Sequence, residues 1–255
     1  TDVTDSVTGD GWSQSIAVSE GLDQRIAFRS TDAIGNIGTP VVVGSVDVDT
    51  ALPTVEETEI GSTEVAISNT GTTLRGTASD THLASVEITA TKDGVDQGTI
   101  HTDGDSPESW EFTLPAGGND GLWEFAITAV DEAGSGRRSS TKIRTVRLDE
   151  TGGSATVAFP AAEELVSGSS YEFVGTASDA GSGVSAVRIA FAADGSGAIQ
   201  AGGTTSWSAN VPLASNLGAE GPKTVYVQVE DAAGNLSDWS ATQRDFVYDT
   251  AAPVL

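Results

Sequence analysis

Short runs in which apolar and polar residues alternate recur along the chain. In the run Lys223–Glu230 the valines fall on one face and Thr224, Tyr226, Gln228 and Glu230 on the other, and Trp123–Val130 alternates in the same way. A period of two residues over six to eight positions predicts a half-buried β-strand. The same pattern predicts strands at Leu74–Ser79, Val86–Thr91, Tyr171–Ala177, Val187–Ala192, Trp207–Val211 and Trp239–Val247.

Clusters of glycine, asparagine, aspartate and proline separate these runs, for example Asp103–Asp105 and Ala116–Asp120. Glycine and asparagine accept a positive φ at little cost, so such clusters predict tight turns. No stretch of eleven residues shows a convincing helical period. About seven short strands in each ~100 residues predict an all-β fold of tandem immunoglobulin-like antiparallel β-sandwiches in an elongated array. Trp110 and Trp207 are expected to fill the cores of these sandwiches.

A repeat of about 100 residues organises the chain. The segment Asp49–Val55 returns as Asp249–Leu255, 200 residues later, and Asp149–Thr151 lies midway between them. A second marker, Gly-Thr-Ala-Ser-Asp, occupies Gly76–Asp80 and returns 99 residues later as Gly175–Asp179.

A third marker has the form Asp-x-x-Gly-Asn and begins at Asp32, Asp131 and Asp231, each time 17 or 18 residues before a linker aspartate. Trp12, Trp110 and Trp207 precede these three loops. The three markers therefore agree on one repeat length and one phase.

The repeat predicts four segments. Residues 1–49 form the C-terminal half of one unit, 50–149 and 150–249 are complete units, and 250–255 begin a further unit. Half a sandwich exposes its core, so residues 1–49 are frayed, completed by strands of another chain, or simply cut at an arbitrary boundary. The near absence of linkers, with Pro53 and Pro253 just after two of the junctions, favours a stiff rod.

Composition and charge exclude several classes of function. The 255 residues contain no cysteine, 37 acidic and only 12 basic residues, with a net charge of −25. Neither a disulfide framework nor a thiolate metal site is available. A chain of this charge is repelled by nucleic acid and by anionic membranes. No Gly-x-Ser-x-Gly elbow, His-Glu-x-x-His helix or phosphate loop occurs, and neither His82 nor His101 recurs, so no enzyme activity is expected.

The three markers together resemble the tandem bacterial immunoglobulin-like repeats of giant surface adhesins, including the RTX-type adhesins that leave the cell by type I secretion. The resemblance covers the whole chain. It implies a secreted, non-catalytic stalk at the cell surface that holds a distal tip, with a host-surface or glycan ligand, away from the cell. It also implies that Ca²⁺ at the junctions between units stiffens the stalk.

The topology of such a sandwich brings the marker aspartates together. The linker aspartate opens the first strand of a unit, and the aspartates of the other two markers follow strands that end on the side facing the preceding unit. Asp49, Asp80 and Asp131 are therefore expected at one junction, and Asp149, Asp179 and Asp231 at the next. Further candidate ligands are Asp32 in the partial unit, together with Asp47, Glu150 and Glu230.

Two interpretations of these aspartates remain open. Three carboxylates close together repel one another, and Ca²⁺, which prefers six to eight oxygen ligands, would offset that repulsion. Alternatively, each aspartate only caps its own turn. Ser135 stands where the other loops have asparagine, and the junction at Asp149 lacks proline, so the second junction is expected to be looser or its site weaker.

Two other functions compete with the stalk. An aromatic platform made from Trp239, Tyr226 and Tyr248 would suit a carbohydrate-binding module. Strand exchange through residues 1–49 would instead suit a subunit of a filament or matrix.

Overall fold

The computed structural model describes residues 15–61, 65–132 and 137–251. The predicted Trp12, the loop positions Ala133, Gly134 and Ser135, and residues 252–255 lie outside this range. Of the described residues, 57% lie in strands and 3% in helices. The all-β fold predicted from the alternation is therefore confirmed.

The unit at 50–149 is an immunoglobulin-like sandwich of a three-stranded and a five-stranded sheet. The sheet orders are β3-β5-β8 and β4-β10-β9-β6-β7, and all neighbours are antiparallel except β4 and β10. One buried apolar cluster draws residues from both sheets. The strands are β3 (Thr54–Glu57), β4 (Ala66–Ser68), β5 (Gly71–Ser79), β6 (Leu83–Lys92), β7 (Val95–Asp103), β8 (Ser109–Pro115), β9 (Gly121–Asp131) and β10 (Lys142–Leu148).

The unit at 150–249 repeats this arrangement, with sheets ordered β11-β13-β16 and β12-β18-β17-β14-β15. A five-residue helix, α1 (Leu213–Leu217), follows β16. The strands are β11 (Ser154–Phe159), β12 (Leu165–Val166), β13 (Ser170–Ser178), β14 (Val184–Ala190), β15 (Ile199–Gln200), β16 (Ser206–Pro212), β17 (Gly221–Asp231) and β18 (Gln243–Tyr248).

The partial unit contributes one antiparallel pair, β1 (Gly21–Phe28) and β2 (Val41–Val48). Without a facing sheet among the described residues, its apolar side chains meet solvent. Val46 is 41% exposed, whereas Val146, 100 residues later, is 1% exposed. Every sheet of the described chain takes its strands from a single predicted unit.

A glycine–tryptophan pair fixes each core and explains the glycine of the second marker. Trp110 and Trp207 are almost fully buried, as predicted. Trp207 pairs across the sheet with Gly175, and a Cβ at Gly175 would overlap the indole and the carbonyl oxygen of Thr156. Gly76 has the same relation to Trp110. The strand that carries this glycine ends next to the aspartate of the marker.

One strand prediction is wrong at its start. Residues Trp239–Ala241 form a short 3-10 helix, and β18 begins only at Gln243. The indole of Trp239 lies where a Cβ on Gly195, in the loop between β14 and β15, would sit. Packing against that loop outweighs the alternation of the sequence here.

Candidate metal centres at the unit junctions

Two clusters of carboxylates lie at the junctions between units. We call Asp49, Asp80 and Asp131 the first cluster and Asp149, Asp179 and Asp231 the second cluster. Within each cluster, one carboxylate oxygen from every aspartate lies within 4.8 Å of the others. The structure thus brings together the two sets that topology predicted.

The second cluster spans two units. Asp149 follows β10 of one unit, whereas Asp179 follows β13 and Asp231 ends β17 of the next. Asp149 and Asp231 are buried, with 2% and 1% of their surface exposed, and Asp179 is half-buried. An ion held by all three would therefore connect the end of one sandwich to the top of the next.

Backbone amides hold the second cluster in place. The N–H of Ser182 donates to Asp149 Oδ2 at 2.6 Å, and those of Gly181 and Gly183 donate to Asp179 Oδ2. Burial by itself raises the pKa of Asp149, but the hydrogen bonds from Ser182 and Thr151 outweigh it, and this pKa lies below its usual range. Asp149 therefore stays ionised, as a metal ligand must.

Asn235 joins the two sides of this junction. Its Nδ2 donates to Asp231 Oδ2 and to the backbone oxygen of Asp149, both at 2.7 Å. Its backbone N–H donates to Asp231 Oδ1 at 2.8 Å. The asparagine of the third marker thus links the following unit to the connector.

No ion pair among the described residues connects a basic side chain to the second cluster. Arg147 lines a cleft of about 330 Å³ beside Asp149, and its charge contributes only the smallest of the effects on that pKa. A Cβ on Gly181 would touch all three carboxyl atoms of Asp149. The absence of a side chain at residue 181 therefore lets the carboxylate of Asp149 lie directly against the backbone there.

The first cluster contains the same three acids with different neighbours. His82 Nδ1 lies 2.8 Å from Asp49 Oδ2, and Arg137 Nε donates to Asp131 Oδ2 at 2.7 Å. The second guanidinium nitrogen of Arg137 donates to the carbonyl oxygen of Ala51. The hydrogen bond from His82, acting against burial, keeps the pKa of Asp49 below its usual range, and the same contact raises the pKa of His82.

Arg137 is the structural counterpart of Asn235. The N–H of Asp131 donates to the carbonyl of Arg137 at 3.1 Å, just as that of Asp231 donates to the carbonyl of Asn235. Ser135, which the sequence aligns with the asparagines, lies outside the described residues. The loop after Asp131 is two residues longer than the loop after Asp231, which shifts the correspondence.

The remaining predicted ligands lie outside both clusters. Asp32 binds Asn36 in its own loop, as Asp231 binds Asn235. Asp47 accepts the N–H of Asp23 at 2.8 Å on the exposed face of β2.

Glu150 and Glu230 also lie elsewhere. Glu150 accepts the N–H of Gly117 in the preceding unit. Glu230 forms an ion pair with Arg188 at 2.5 Å on the opposite face of β17 from Asp231. Successive side chains of a strand point to opposite faces, so a neighbour of a buried aspartate faces away from it.

A second contact at each junction was missed by the sequence analysis. An acid at the start of the penultimate strand of a unit binds the threonine of the following connector. These pairs are Glu20 with Thr50, Asp120 with Thr151 and Glu220 with Thr250. The signal that identifies them is an acid at positions 20, 120 and 220.

Oxygen donors of this kind suit Ca²⁺. Calcium lies 2.3–2.6 Å from its ligand oxygens, so ligands on opposite sides of one ion are about 5 Å apart. A spread of up to 4.8 Å is compatible with that distance. At least five of the six aspartates also cap their own turns, as Asp149 does by accepting the N–H of Thr151. Capping uses only part of the acceptor capacity of a carboxylate.

Known proteins resemble the chain in their fold. No protein-family model matches the chain, and no curated protein matches it. The fibronectin(III)-like modules of Clostridium thermocellum CbhA are similar at 18% identity over 77% of this chain and 93% of that chain, with a TM-score of 0.34.

A tetra-tandem repeat in the extending region of a large adhesion protein is 17% identical, with 90% of this chain and 67% of that chain covered and a TM-score of 0.32. The D00-D0 domain of intimin is 11% identical over 77% and 100%, with a TM-score of 0.37. The assignment of immunoglobulin-like sandwiches rests on the sheet orders of the chain itself. Across the described residues, no helix has the length and apolar character to cross a bilayer.

Proposed function

We propose that the chain is a non-catalytic extender segment of a secreted bacterial surface adhesin, in which Ca²⁺ at a junction holds neighbouring units in a fixed relation. The tandem sandwiches supply the length and the junctions determine how straight the rod is. The partners of each unit are its neighbouring units. A host-surface or glycan ligand belongs to a distal tip outside this segment.

The second cluster is the observation that carries this proposal. Its acids come from the end of one unit and from two loops of the next, and two of the three are buried. Two unit charges 4 Å apart repel by roughly 4 kcal/mol at an effective dielectric of 20. No ion pair of the described residues offsets this repulsion at the second cluster. Ca²⁺ would neutralise the acids and tie the two units together.

A thermal melt with and without Ca²⁺ tests this function. Calcium at 100 times its Kd stabilises a folded unit by about 2.7 kcal/mol. The melting temperature of the chain should therefore rise in excess Ca²⁺ relative to EDTA. The increase should disappear in Asp179→Asn and persist in Asp105→Asn, a control in the exposed loop between β7 and β8. An equal melting temperature in Ca²⁺ and in EDTA would contradict the proposal and would mean that the aspartates of the second cluster only cap turns.

The attribution to a cell-surface adhesin rests on the three sequence markers. Its test is the accessibility of the native protein to protease added to intact cells of the source organism. Digestion without lysis is the expected result. Protection until lysis would contradict a surface location.

The exposed face of β2 supports an alternative, a filament subunit that assembles by strand exchange. Val41, Val42 and Val43 are each more than half exposed. Light scattering over a range of concentrations distinguishes the two functions. Growth in mass with concentration would favour the filament, and a constant monomer mass the extender.

A carbohydrate platform has less support, because Trp239 is half-buried against the loop at Gly195. Tyr248 is buried as well. Loss of the fold of the unit in Trp239→Ala would identify Trp239 as a packing residue.

A further inference from the structure

We propose that Arg137 and His82 close the first cluster with cations of the chain itself, so that Ca²⁺ binds at the second cluster and not at the first. This inference rests on the proposed function, because it determines which junction of the stalk responds to calcium. It makes Arg137 a specificity-determining residue of the junction.

The guanidinium of Arg137 brings a positive charge into contact with the first cluster. It donates to Asp131, whose side chain is fully buried, and it reaches the connector at Ala51. Its pKa is raised chiefly by the hydrogen bond to Asp131 and further by the charges of Asp131, Asp49 and Asp80, although burial opposes this. One cation thus interacts with all three acids and with both units.

At the second junction, the residue equivalent to Arg137 is the neutral Asn235. Asn235 contacts Asp231, the counterpart of Asp131, and the carbonyl of Asp149, which lies two residues earlier in the connector than the position equivalent to Ala51. The bridge between connector and loop is therefore preserved, but only the first junction carries a positive charge in it. Three carboxylates with an arginine have a formal charge of −2, against −3 for the second cluster.

The loop after the second marker also carries a basic side chain at the first junction and none at the second. Two residues after Asp80 comes His82, whose ring contacts Asp49 Oδ2. Two residues after Asp179 comes Gly181, which has no side chain, so the carboxylate of Asp149 lies against its backbone and accepts the N–H of Ser182. The first cluster therefore contacts the side chains of an arginine and a histidine, whereas the side-chain nitrogen at the second cluster belongs to the neutral amide of Asn235.

An ion entering the first cluster would have to displace these nitrogens from the carboxylate oxygens. The affinity of a calcium site depends on the number of charged ligands that remain available. At the first cluster, Asp131 Oδ2 and Asp49 Oδ2 bind a guanidinium and an imidazole, whereas the same oxygens of Asp231 and Asp149 accept hydrogen bonds from neutral amides. At the second cluster, Ca²⁺ meets no competing cation among the described residues.

Isothermal titration of the full chain with CaCl₂ at neutral pH tests the inference. One bound ion per chain is expected. Asp179→Asn should abolish binding, and the matched Asp80→Asn should leave it within about twofold. Circular dichroism and thermal melts in EDTA establish that each variant is folded.

The outcomes separate this inference from the proposed function. If the chain binds two ions and Asp80→Asn loses one of them, the proposed role of Arg137 is wrong. The proposed function, a stalk stiffened by calcium, would still stand. A single ion lost in Asp80→Asn but kept in Asp179→Asn would also overturn the role of Arg137. If the chain binds no Ca²⁺, both the proposed function and this inference are wrong.

A gain-of-function variant gives the stronger test. Arg137→Asn combined with His82→Gly gives the first junction the residues of the second, and it should bind two ions per chain. A folded double variant that still binds one ion would show that these side chains do not exclude the metal.

Discussion

Arg137 of the first junction and Asn235 of the second occupy equivalent positions, and both donate to the buried aspartate of their loop and to the backbone of the connector. Both junctions therefore have a side chain that links the loop to the connector, but it is a charged guanidinium at the first and a neutral amide at the second. A guanidinium brings its own charge, whereas an amide leaves the charge of three acids to be balanced from solution. Under the proposed function, one junction is closed by a cation of the chain itself and the other by Ca²⁺.

The close approach of the Asp149 carboxylate to the backbone of Gly181 predicts the effect of Gly181→Ala. The added methyl group would press on the carboxylate of Asp149 and weaken calcium binding at the second cluster by about tenfold, which is about 1.4 kcal/mol. Titration calorimetry measures the change. Gly202→Ala is the control, because a Cβ there has only an ordinary contact with Ser208. Equal affinity in both variants would mean that Ca²⁺ does not use Asp149.

The contact between Asp120 and the connector predicts a loosened second junction in Asp120→Ala. Asp120 accepts the N–H of Glu150 at 3.1 Å and the hydroxyl of Thr151 at 3.2 Å. Hydrogen exchange of the peptide covering residues 149–153 should become faster, while the melting temperature changes little. The exposed Asp105→Ala should change neither quantity. Unchanged exchange in Asp120→Ala would show that the connector is held by the cluster alone.

The glycine–tryptophan pair predicts that Gly175→Ala severely destabilises its unit. A methyl group at residue 175 would overlap Trp207 and the carbonyl of Thr156, at a cost of about 3 kcal/mol for overpacking. Urea unfolding followed by tryptophan fluorescence measures this loss. Gly202→Ala, in the same unit but without a close neighbour, should stay within about 0.5 kcal/mol of the parent. Equal stability of the two variants would contradict the packing described for this core.

A buried ion pair predicts the response of the unit at 50–149 to acid. Glu57 forms an ion pair with Arg144, whose Nε lies 2.5 Å from Oε2 of Glu57. The same carboxylate accepts hydrogen bonds from the backbone N–H groups of Glu59, Ile60 and Gly61. Burial opposes ionisation, but these contacts outweigh it and lower the pKa of Glu57.

A lowered pKa gives stability that is fully present above the unfolded value, about 4.5, and is lost as the pH falls through the lower folded value. Glu57→Gln should therefore cost about 3 kcal/mol at pH 7, because it leaves Arg144 buried without its partner. The difference from the parent should shrink at acid pH. A difference that stays constant from pH 7 to pH 3 would contradict this role for the ion pair.

Much of the fold and the composition of both clusters could be predicted from the sequence. The two-residue period identified the strands, and the 100-residue repeat placed equivalent strand ends together. Because a sandwich brings the ends of its strands to one edge, Asp80 and Asp131 had to meet near the connector that carries Asp49.

Single residues next to these strand ends could not be placed in this way. Glu230 adjoins Asp231 in sequence but faces Arg188, because neighbours on a strand point apart. Arg137 could not be matched with Asn235, because the insertion of two residues in its loop hides the correspondence until backbone hydrogen bonds are known. The pairs such as Asp120 with Thr151 were missed because 37 acids give an acidic residue near almost any position.

Small-angle scattering of the full chain in excess Ca²⁺ and in EDTA tests the central claim most directly. We predict a straight particle approaching roughly 100 Å in Ca²⁺, from two and a half units of roughly 40 Å each. In EDTA, and equally in Asp179→Asn with Ca²⁺ present, the distribution of distances should shorten and broaden through movement at the second junction. Superimposable curves for the parent chain in Ca²⁺ and EDTA would contradict a junction stiffened by calcium.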